Sequence, residues 1–375
     1  MDRLGDKVCC NPTVKLKKGE YYPLIDIEKI APRYKTVRNQ EEIVFNGQSC
    51  TKFEDRDVLF ARITPCLENG KIAMADTNGK CGIGSTELFV FRGIEGISNT
   101  DYVYYLLRMN HIRQLAANSM TGASGRQRAD LNFIKKIKWQ FPVIEQQQKI
   151  ASILTVYDNL IENNNKRIKI LEQMAENLYK EWFVRFRFPN HQNTEFENGI
   201  PKGWKVVRLG EYANISTGKC NREDAEETGI YPLFDRSQEI KKSNSWIKDC
   251  EAIIVPGEGT SFMPRYYVGK FNLHQRCYCI EPKNKNTGKY IFYSLMLNRI
   301  YFLYVATGAT VPSLRQNNFT SMKIIMPKMS LVKRFDEIIS LLFKQINFLE
   351  NTNEKLSKQR DMLLPRLMSG KLEVK

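Results

Sequence analysis

Two stretches of the chain carry apolar residues at alternating spacings of four and three. In the first, Ile150, Leu154, Tyr157, Ile161, Asn164, Ile168, Leu171, Ala175, Leu178 and Trp182 form one stripe. In the second, Phe335, Ile339, Leu342, Ile346, Leu349, Asn353, Leu356, Arg360, Leu363 and Leu367 repeat it, each rung displaced by 185 residues. A four-three stripe held over more than four heptads predicts coiled-coil packing, because an ordinary helix face drifts away from a 3.5-residue repeat. Residues 150–182 predict a helix of roughly 50 Å at ~1.5 Å per residue. Pro142 and Pro327 stand just before the helices, and Phe188-Pro189 and Ser369-Gly370 mark their far ends. Neither stripe contains a tight turn, so each wants a partner of its own length, and the chain supplies one. The alternative is that each helix packs on its own domain core. A whole globular segment separates the two, so their relative direction stays open; a pseudo-two-fold axis between the halves would make them antiparallel. Asn164 and Asn353 are polar rungs that either fix register or face water.

The stripes belong to a longer duplication. Arg3-Leu4-Gly5-Asp6 is matched by Arg208-Leu209-Gly210-Glu211, Tyr22-Pro23-Leu24 by Tyr231-Pro232-Leu233, and Thr121-Gly122-Ala123 by Thr307-Gly308-Ala309. Asn132-Phe133 and Asn318-Phe319 follow, each leading to an apolar strand and then Pro142 or Pro327. The late anchors hold one register to within a residue, whereas the early ones do not, so insertions lie in the first parts of the halves. Short runs rich in Val, Ile, Phe and Tyr predict strands at 21–27, 57–63, 71–75, 85–91 and 134–141, with one amphipathic helix over 100–118. The second half predicts strands at 204–209, 252–255, 266–271 and 276–280 and a helix around 290–304. The fold class expected is α+β: two similar mixed domains, each followed by a long helix, the two helices pairing as an antiparallel coiled coil. The divisions fall at 1–143, 144–188 (first helix), 189–203 (a polar linker containing Pro and Gly), 204–328 and 329–375 (second helix).

Charge narrows the field. The chain has 375 residues, with 57 Lys and Arg against 41 Asp and Glu, a net charge of +16. Such an excess points to an anionic partner, most often nucleic acid, although a generic basic surface is the plainer reading. No polybasic run adjoins an apolar anchor, and no segment approaches ~18 uncharged apolar residues, which excludes a membrane-spanning helix. The nine cysteines are odd in number and scattered from Cys9 to Cys279. With no signal-peptide pattern at Met1–Asn11, a reduced, cytoplasmic protein is expected, not a disulfide scaffold.

The sequence lacks a phosphate loop, Gly257-Glu258-Gly259-Thr260-Ser261 coming nearest without the lysine or the spacing. It lacks an Asn/Asp-Pro-Pro-aromatic run, a dinucleotide fingerprint and zinc spacing among its cysteines. His111, His191 and His274 are far apart in the sequence, a poor basis for acid–base catalysis. What remains is the pair of Thr-Gly loops. The first offers Thr121, Gly122, Ser124, Arg126 and Arg128; the second offers Thr307, Gly308, Thr310, Arg315 and Gln316. Small residues let backbone N–H groups approach phosphates, and hydroxyl, Arg and Gln donors read backbone oxygens and base edges. The competing reading is a structural turn; the two are compatible if the base of the loop is pinned and its tip is free. Ser85 and Thr86, Thr260 and Ser261, and the basic positions Arg265 and Arg276 extend the list of candidate DNA contacts. Tyr104-Tyr105 and Tyr301-Phe302 read as core. No residue is assigned a catalytic or metal-binding role.

Three further runs make the chain resemble the specificity subunits of type I restriction-modification systems. They are Phe141-Pro142-Val143-Ile144-Glu145-Gln146-Gln147 at the first helix entry, Tyr179-Lys180-Glu181-Trp182-Phe183 at its end, and Leu363-Leu364-Pro365-Arg366-Leu367-Met368-Ser369-Gly370 at the C-terminus. The second entry, Pro327-Lys328-Met329-Ser330, lacks the Glu-Gln pair. The resemblance implies two target-recognition domains reading the halves of a split sequence in double-stranded DNA. It implies that the helices are a spacer and a dock for two modification subunits, on the stripe Ile150, Leu154, Ile161, Ile168, Leu171, Leu178, Ile339, Leu342, Ile346, Leu349, Leu356 and Leu363. A restriction subunit with ATP-driven translocation would join them. S-adenosylmethionine, ATP and Mg²⁺ would then belong to partner subunits, and this chain would be no enzyme. Two other readings stand beside this one: a nuclease or methyltransferase with an unrecognised motif, and a coiled-coil adaptor that binds only proteins.

Overall fold

The structure is a computed structural model. It describes residues 1–374 other than Arg33, Gln40, Ser124, Glu227 and Ala309, and all of Arg222 except its side chain. The chain forms two compact units, one of residues 1–167 with 349–375, the other of residues 168–348. Each is described by itself.

In the first unit a five-stranded sheet runs in the order Val8–Cys10, Leu88–Gly93, Val58–Ala61, Ile72–Ala75, Thr36–Val37. Its pairs are antiparallel except the last, which is parallel. Val58–Ala61 and Ile72–Ala75 are buried on both faces, which explains apolar runs without alternation. Val58, Phe60, Ile72, Met74, Phe89 and Phe91 face a core shared with the helix Thr100–Arg108. The intervening Leu59, Ala61, Ala73, Ala75, Leu88 and Val90 face Ile25 and Phe53 of a second sheet, ordered Glu42–Val44, Tyr21–Ile25, Gly82–Gly84, Thr51–Phe53.

The second unit repeats this plan. Its six-stranded sheet runs Ala213–Thr217, Cys277–Pro282, Lys248–Pro256, Arg265–Leu273, Tyr231–Phe234, Lys241–Ser243. Ile253, Val255, Tyr278 and Ile280 face the core shared with the helix Gly288–Leu297. Ala252, Ile254, Cys277 and Cys279 face Phe234, Phe271 and Leu273.

The long helices span Ile144–Tyr179, continued by a π turn over Lys180–Val184, and Met329–Met368. All twenty rungs of the stripes are buried or half-buried, while apolar residues off the stripe, such as Val156, Ile170, Met174 and Leu341, are exposed. In the first unit Ile150 and Leu154 share a core with Leu364, Leu367 and Met368. Asn164 donates to Asn353 (2.8 Å), which donates to Asn165 (2.9 Å). Arg360 donates to Asp158 at 2.5 Å. In the second unit the Phe335 ring centroid lies 6.1 Å from that of Trp182 and 5.0 Å from that of Phe183. Within each unit, then, residues early in one long helix meet residues late in the other.

The motif at the first helix entry has a mechanical role. Gln147 is fully buried. Its amide accepts from the Asn99 N–H (3.0 Å) and donates to the carbonyls of Ile97 (3.0 Å) and Pro142 (2.9 Å), tying helix entry to the start of Thr100–Arg108. The equivalent position in the second half is Val332, also fully buried, so an apolar side chain stands there in place of the Gln147 amide and its hydrogen bonds.

Four sequence expectations need correction. Residues 134–141 are not one strand: a helix Leu131–Lys136, capped by the Asp130 carboxylate on the Asn132 N–H (2.8 Å), leaves only Lys138–Trp139 to pair with Asp2–Arg3. The helix expected over 100–118 breaks at Met109, whose ψ of 135° ends the ladder between Thr100–Arg108 and Asn110–Asn118. The break re-aims a segment buried all round, Tyr102–Leu107, into one buried along a single stripe, Ile112 and Ala116. A matching break at Asn298 divides the helix expected around 290–304 into Gly288–Leu297 and Arg299–Val305. Residues 85–87 are a turn between Gly82–Gly84 and Leu88–Gly93, closed by Leu88 N–H on the Ser85 carbonyl at 3.2 Å.

Candidate nucleic-acid interface

The two Thr-Gly loops are pinned at their bases by the same bonds. In the first unit Thr121 and Arg128 exchange backbone hydrogen bonds at 3.1 and 3.0 Å. Thr64 N–H donates to the Gln127 carbonyl (3.0 Å), and Ala129 N–H to that of Arg62 (2.8 Å). In the second unit Thr307 and Ser313 exchange bonds at 2.9 and 2.7 Å. Gly259 N–H donates to the Pro312 carbonyl (3.1 Å), and Leu314 N–H to that of Gly257 (2.8 Å). The second residue of each loop has a φ that disfavours any side chain, +125° at Gly122 and +122° at Gly308. A duplicated framework thus holds two loops of different sequence at equivalently bonded bases.

Each pin is reinforced by ion pairs, placed differently in the two copies. In the first unit Arg128 makes a forked contact with Glu87 (2.6–3.0 Å), and the Arg62 guanidinium lies 5.0 Å from the Phe89 ring centroid. Hydrogen bonds from Arg128 hold the Glu87 carboxyl below its ordinary range, against the opposing effect of burial. In the second unit Glu258 is the acid, bound by Arg236 (2.6 Å) and Arg276 (2.8 Å). Glu87 and Arg276 occupy equivalent places: Arg62 N–H donates to the carbonyl of Glu87, and Gly257 N–H to that of Arg276. Sequence reading did not pick out Glu87, Arg62 or Arg236. Comparing the halves hides Glu87, because it aligns that acid with the base Arg276, and it aligns Arg62 with Gly257.

The other candidates sort by exposure. Thr86, Thr121, Gly122 and Arg126 are exposed, as are Thr260, Ser261, Thr307, Gly308, Thr310 and Arg315. Ser85 is half-buried and its hydroxyl accepts from the Glu87 N–H (3.2 Å). Arg265 is half-buried, donating to the Ser237 carbonyl over the Phe234 ring. Gln316 donates to the Ile215 carbonyl (2.9 Å). Ser124 lies outside the described residues. His274 is buried, its Nδ1 accepting from the Arg276 N–H at 3.0 Å, a structural post of the same turn. The exposed set offers backbone amides, hydroxyls and guanidinium groups, the donors that bind phosphates and base edges, while Arg128 and Arg276 are occupied by carboxylates. Among the described residues no group of three or more His, Cys, Asp or Glu side chains could hold a metal ion, and no helix is long and apolar enough to cross a membrane.

Doubled α+β units with long helices and donor-rich loops suit a DNA-specificity protein, and comparison with known proteins shows that class. Residues 9–173 and 201–358 match the profile of the type I restriction modification DNA specificity domain, and the chain belongs to that family. It is similar to two proteins of Methanocaldococcus jannaschii. One is the type I restriction enzyme MjaIX specificity subunit (29% identical, covering 73% of this chain and 69% of the relative). The other is the MjaVIII specificity subunit (24%, covering 95% and 87%). The crystal structure of the S subunit from M. genitalium has a like fold, with a TM-score of 0.56 at 16% identity, covering 100% of this chain and 96% of that one.

Proposed function

We propose that this chain is the non-catalytic reader of a type I restriction-modification complex, each unit recognising one half of a split double-stranded DNA target. The observation that carries this is the pair of equivalently pinned Thr-Gly loops, whose exposed tips differ in sequence. A shared frame with different tips is what two readers of two different half-sites require. The net charge of +16 supplies the salt-sensitive phosphate attraction, and base contacts at the tips supply discrimination of ~1–3 kcal/mol each.

The long helices pair as an antiparallel coiled coil, set the spacing of the two half-sites, and dock two modification subunits and the restriction subunits. The polar contacts Asn164–Asn353, between middle rungs, and Asp158–Arg360, between the early part of one helix and the late part of the other, support this pairing. S-adenosylmethionine, ATP and Mg²⁺ act in the partners. The test is DNA binding by the assembled complex. The proposal expects preference for a two-part sequence and a steep loss of affinity with added salt. It also expects neither cleavage nor methylation when the isolated chain meets DNA, Mg²⁺ and S-adenosylmethionine. A complex with no sequence preference, or an isolated chain that modifies DNA, refutes it.

A further inference from the structure

Where two copies share a frame, residues that differ at equivalent surface positions are free to specify different ligands. One such difference stands out beside the second loop. The helix Arg299–Val305 leads into Thr307, and its exposed face carries Ile300 (60% exposed), Leu303 (49%) and Tyr304 (85%). Val311, inside the pinned loop, is 46% exposed. Phe302 on the opposite face is fully buried against Phe262 and Phe319, so the helix is anchored and its apolar outer face is not needed for the core.

Among the described residues, the matching positions of the first unit carry no such face. Counting back from Thr121 as from Thr307, the residues matching Ile300, Leu303 and Tyr304 are Gln114, Ala117 and Asn118, and the loop carries exposed Arg126 in place of an apolar side chain. The frame therefore does not require the apolar face. Exposed apolar groups on the helix leading into a loop, and within the loop itself, where the loop otherwise offers hydroxyls and glycine, signal a contact surface.

Resting on the reading of these loops as DNA contacts, we infer that the second unit reads thymine through its methyl group, with Val311 and Tyr304 as the specificity-determining residues. The C5-methyl of thymine is the one apolar group on a base edge in the major groove. Thr310 and Arg315, both exposed, flank Val311 with the donors that the adjoining phosphates and acceptors need. The first unit, with Arg126 at its tip, reads by hydrogen bonds. The half-site of the second unit thus contains a T·A pair recognised by burial, and that of the first does not depend on a methyl.

The test uses the chain assembled with its modification subunits. Selection from random-sequence duplexes yields the target, and deoxyuridine then replaces thymine in one half-site at a time. In one half only, each contacted methyl lost should weaken binding about fourfold, the value of one buried methyl-sized group. Val311→Ala or Tyr304→Ala should weaken binding to the thymine duplex by a similar factor and erase the thymine–deoxyuridine difference. Indifference to deoxyuridine in both halves, or a difference that survives both substitutions, overturns the inference. Loss of the modification subunits from either variant with that difference intact reassigns the face to a protein contact and also overturns it. Arg126→Ala and Arg315→Ala separate the two levels. If neither weakens binding, the loops are not the readers; if they do and deoxyuridine does not, only the thymine assignment fails.

Discussion

Arg360 sits on a heptad rung that otherwise calls for an apolar residue, and replacing it tests what holds the C-terminal segment to the first unit. Its side chain is 2% exposed and that of Asp158 is 3% exposed. The guanidinium donates to one carboxylate oxygen at 2.5 Å, and the Tyr105 hydroxyl donates to the other at 2.5 Å. Burial, reinforced by the neighbouring Asp158, pushes the Tyr105 phenol far above its ordinary value, so it stays a donor. Arg360→Met leaves a buried carboxylate without its hydrogen-bonded cation, with only the Arg108 charge nearby, which costs ~3–5 kcal/mol. Tyr105 continues to solvate Asp158, so the lower end applies: ~3 kcal/mol, or roughly 150-fold in an opening equilibrium. Asp158→Leu with Arg360→Met removes both charges and should return the unit to within roughly tenfold of the parent. Hydrogen exchange of amides in 349–368 reads the opening of this segment directly. It is preferable to a global melt, because a chain of two units need not unfold in one step. A single variant that exchanges less than about tenfold faster, or a double variant worse than the single, refutes the reasoning.

Leu171→Asp with Leu356→Asp should abolish co-purification of the modification subunits; retained assembly would count against the shared stripe. Asn353→Leu strips Asn164 and Asn165 of their partner and should cost ~1–3 kcal/mol in the exchange of the same helix segment, whereas a gain in protection would show that these rungs are not buried donors. Arg126→Ala should relax reading of one half-site and Arg315→Ala the other, each by ~1–3 kcal/mol in competition binding, and an equal effect on both halves would refute separate readers. Glu87 is held below its ordinary value of 4.5, so its contribution to the loop pin is complete above that pH and is lost as pH falls through the lower folded value. Exchange in 121–128 should therefore accelerate in acid relative to Glu87→Gln, which carries no such component; parallel profiles would contradict the pin.

The long helices were legible because their signal is local and repeats: ten rungs at one spacing, copied 185 residues on, leave little room for another period. The central strands were legible as unbroken apolar runs, since both faces of Val58–Ala61 and Ile72–Ala75 are covered. Leu131–Lys136 was misread as strand because Ile134 and Ile137 suit either state. What decides is the Asp130 cap, a bond from one side chain to the N–H two residues on. The breaks at Met109 and Asn298 carry no Pro or Gly signal, because tertiary packing of the buried first helix sets them. The loops were found as a repeated Thr-Gly, but their pins were not, since the carboxylates at Glu87 and Glu258 come from different strand ends in the two copies. The polar rungs were ambiguous in the sequence: whether Asn164 meets water or Asn353 depends on a partner 189 residues away.

A map of methylated bases across the genome of the source cell tests most directly whether two copies of one frame divide a DNA target between them. The account predicts a two-part methylated sequence, its halves unlike and separated by a fixed run of unread bases. A single continuous methylated motif that depends on this chain would contradict it.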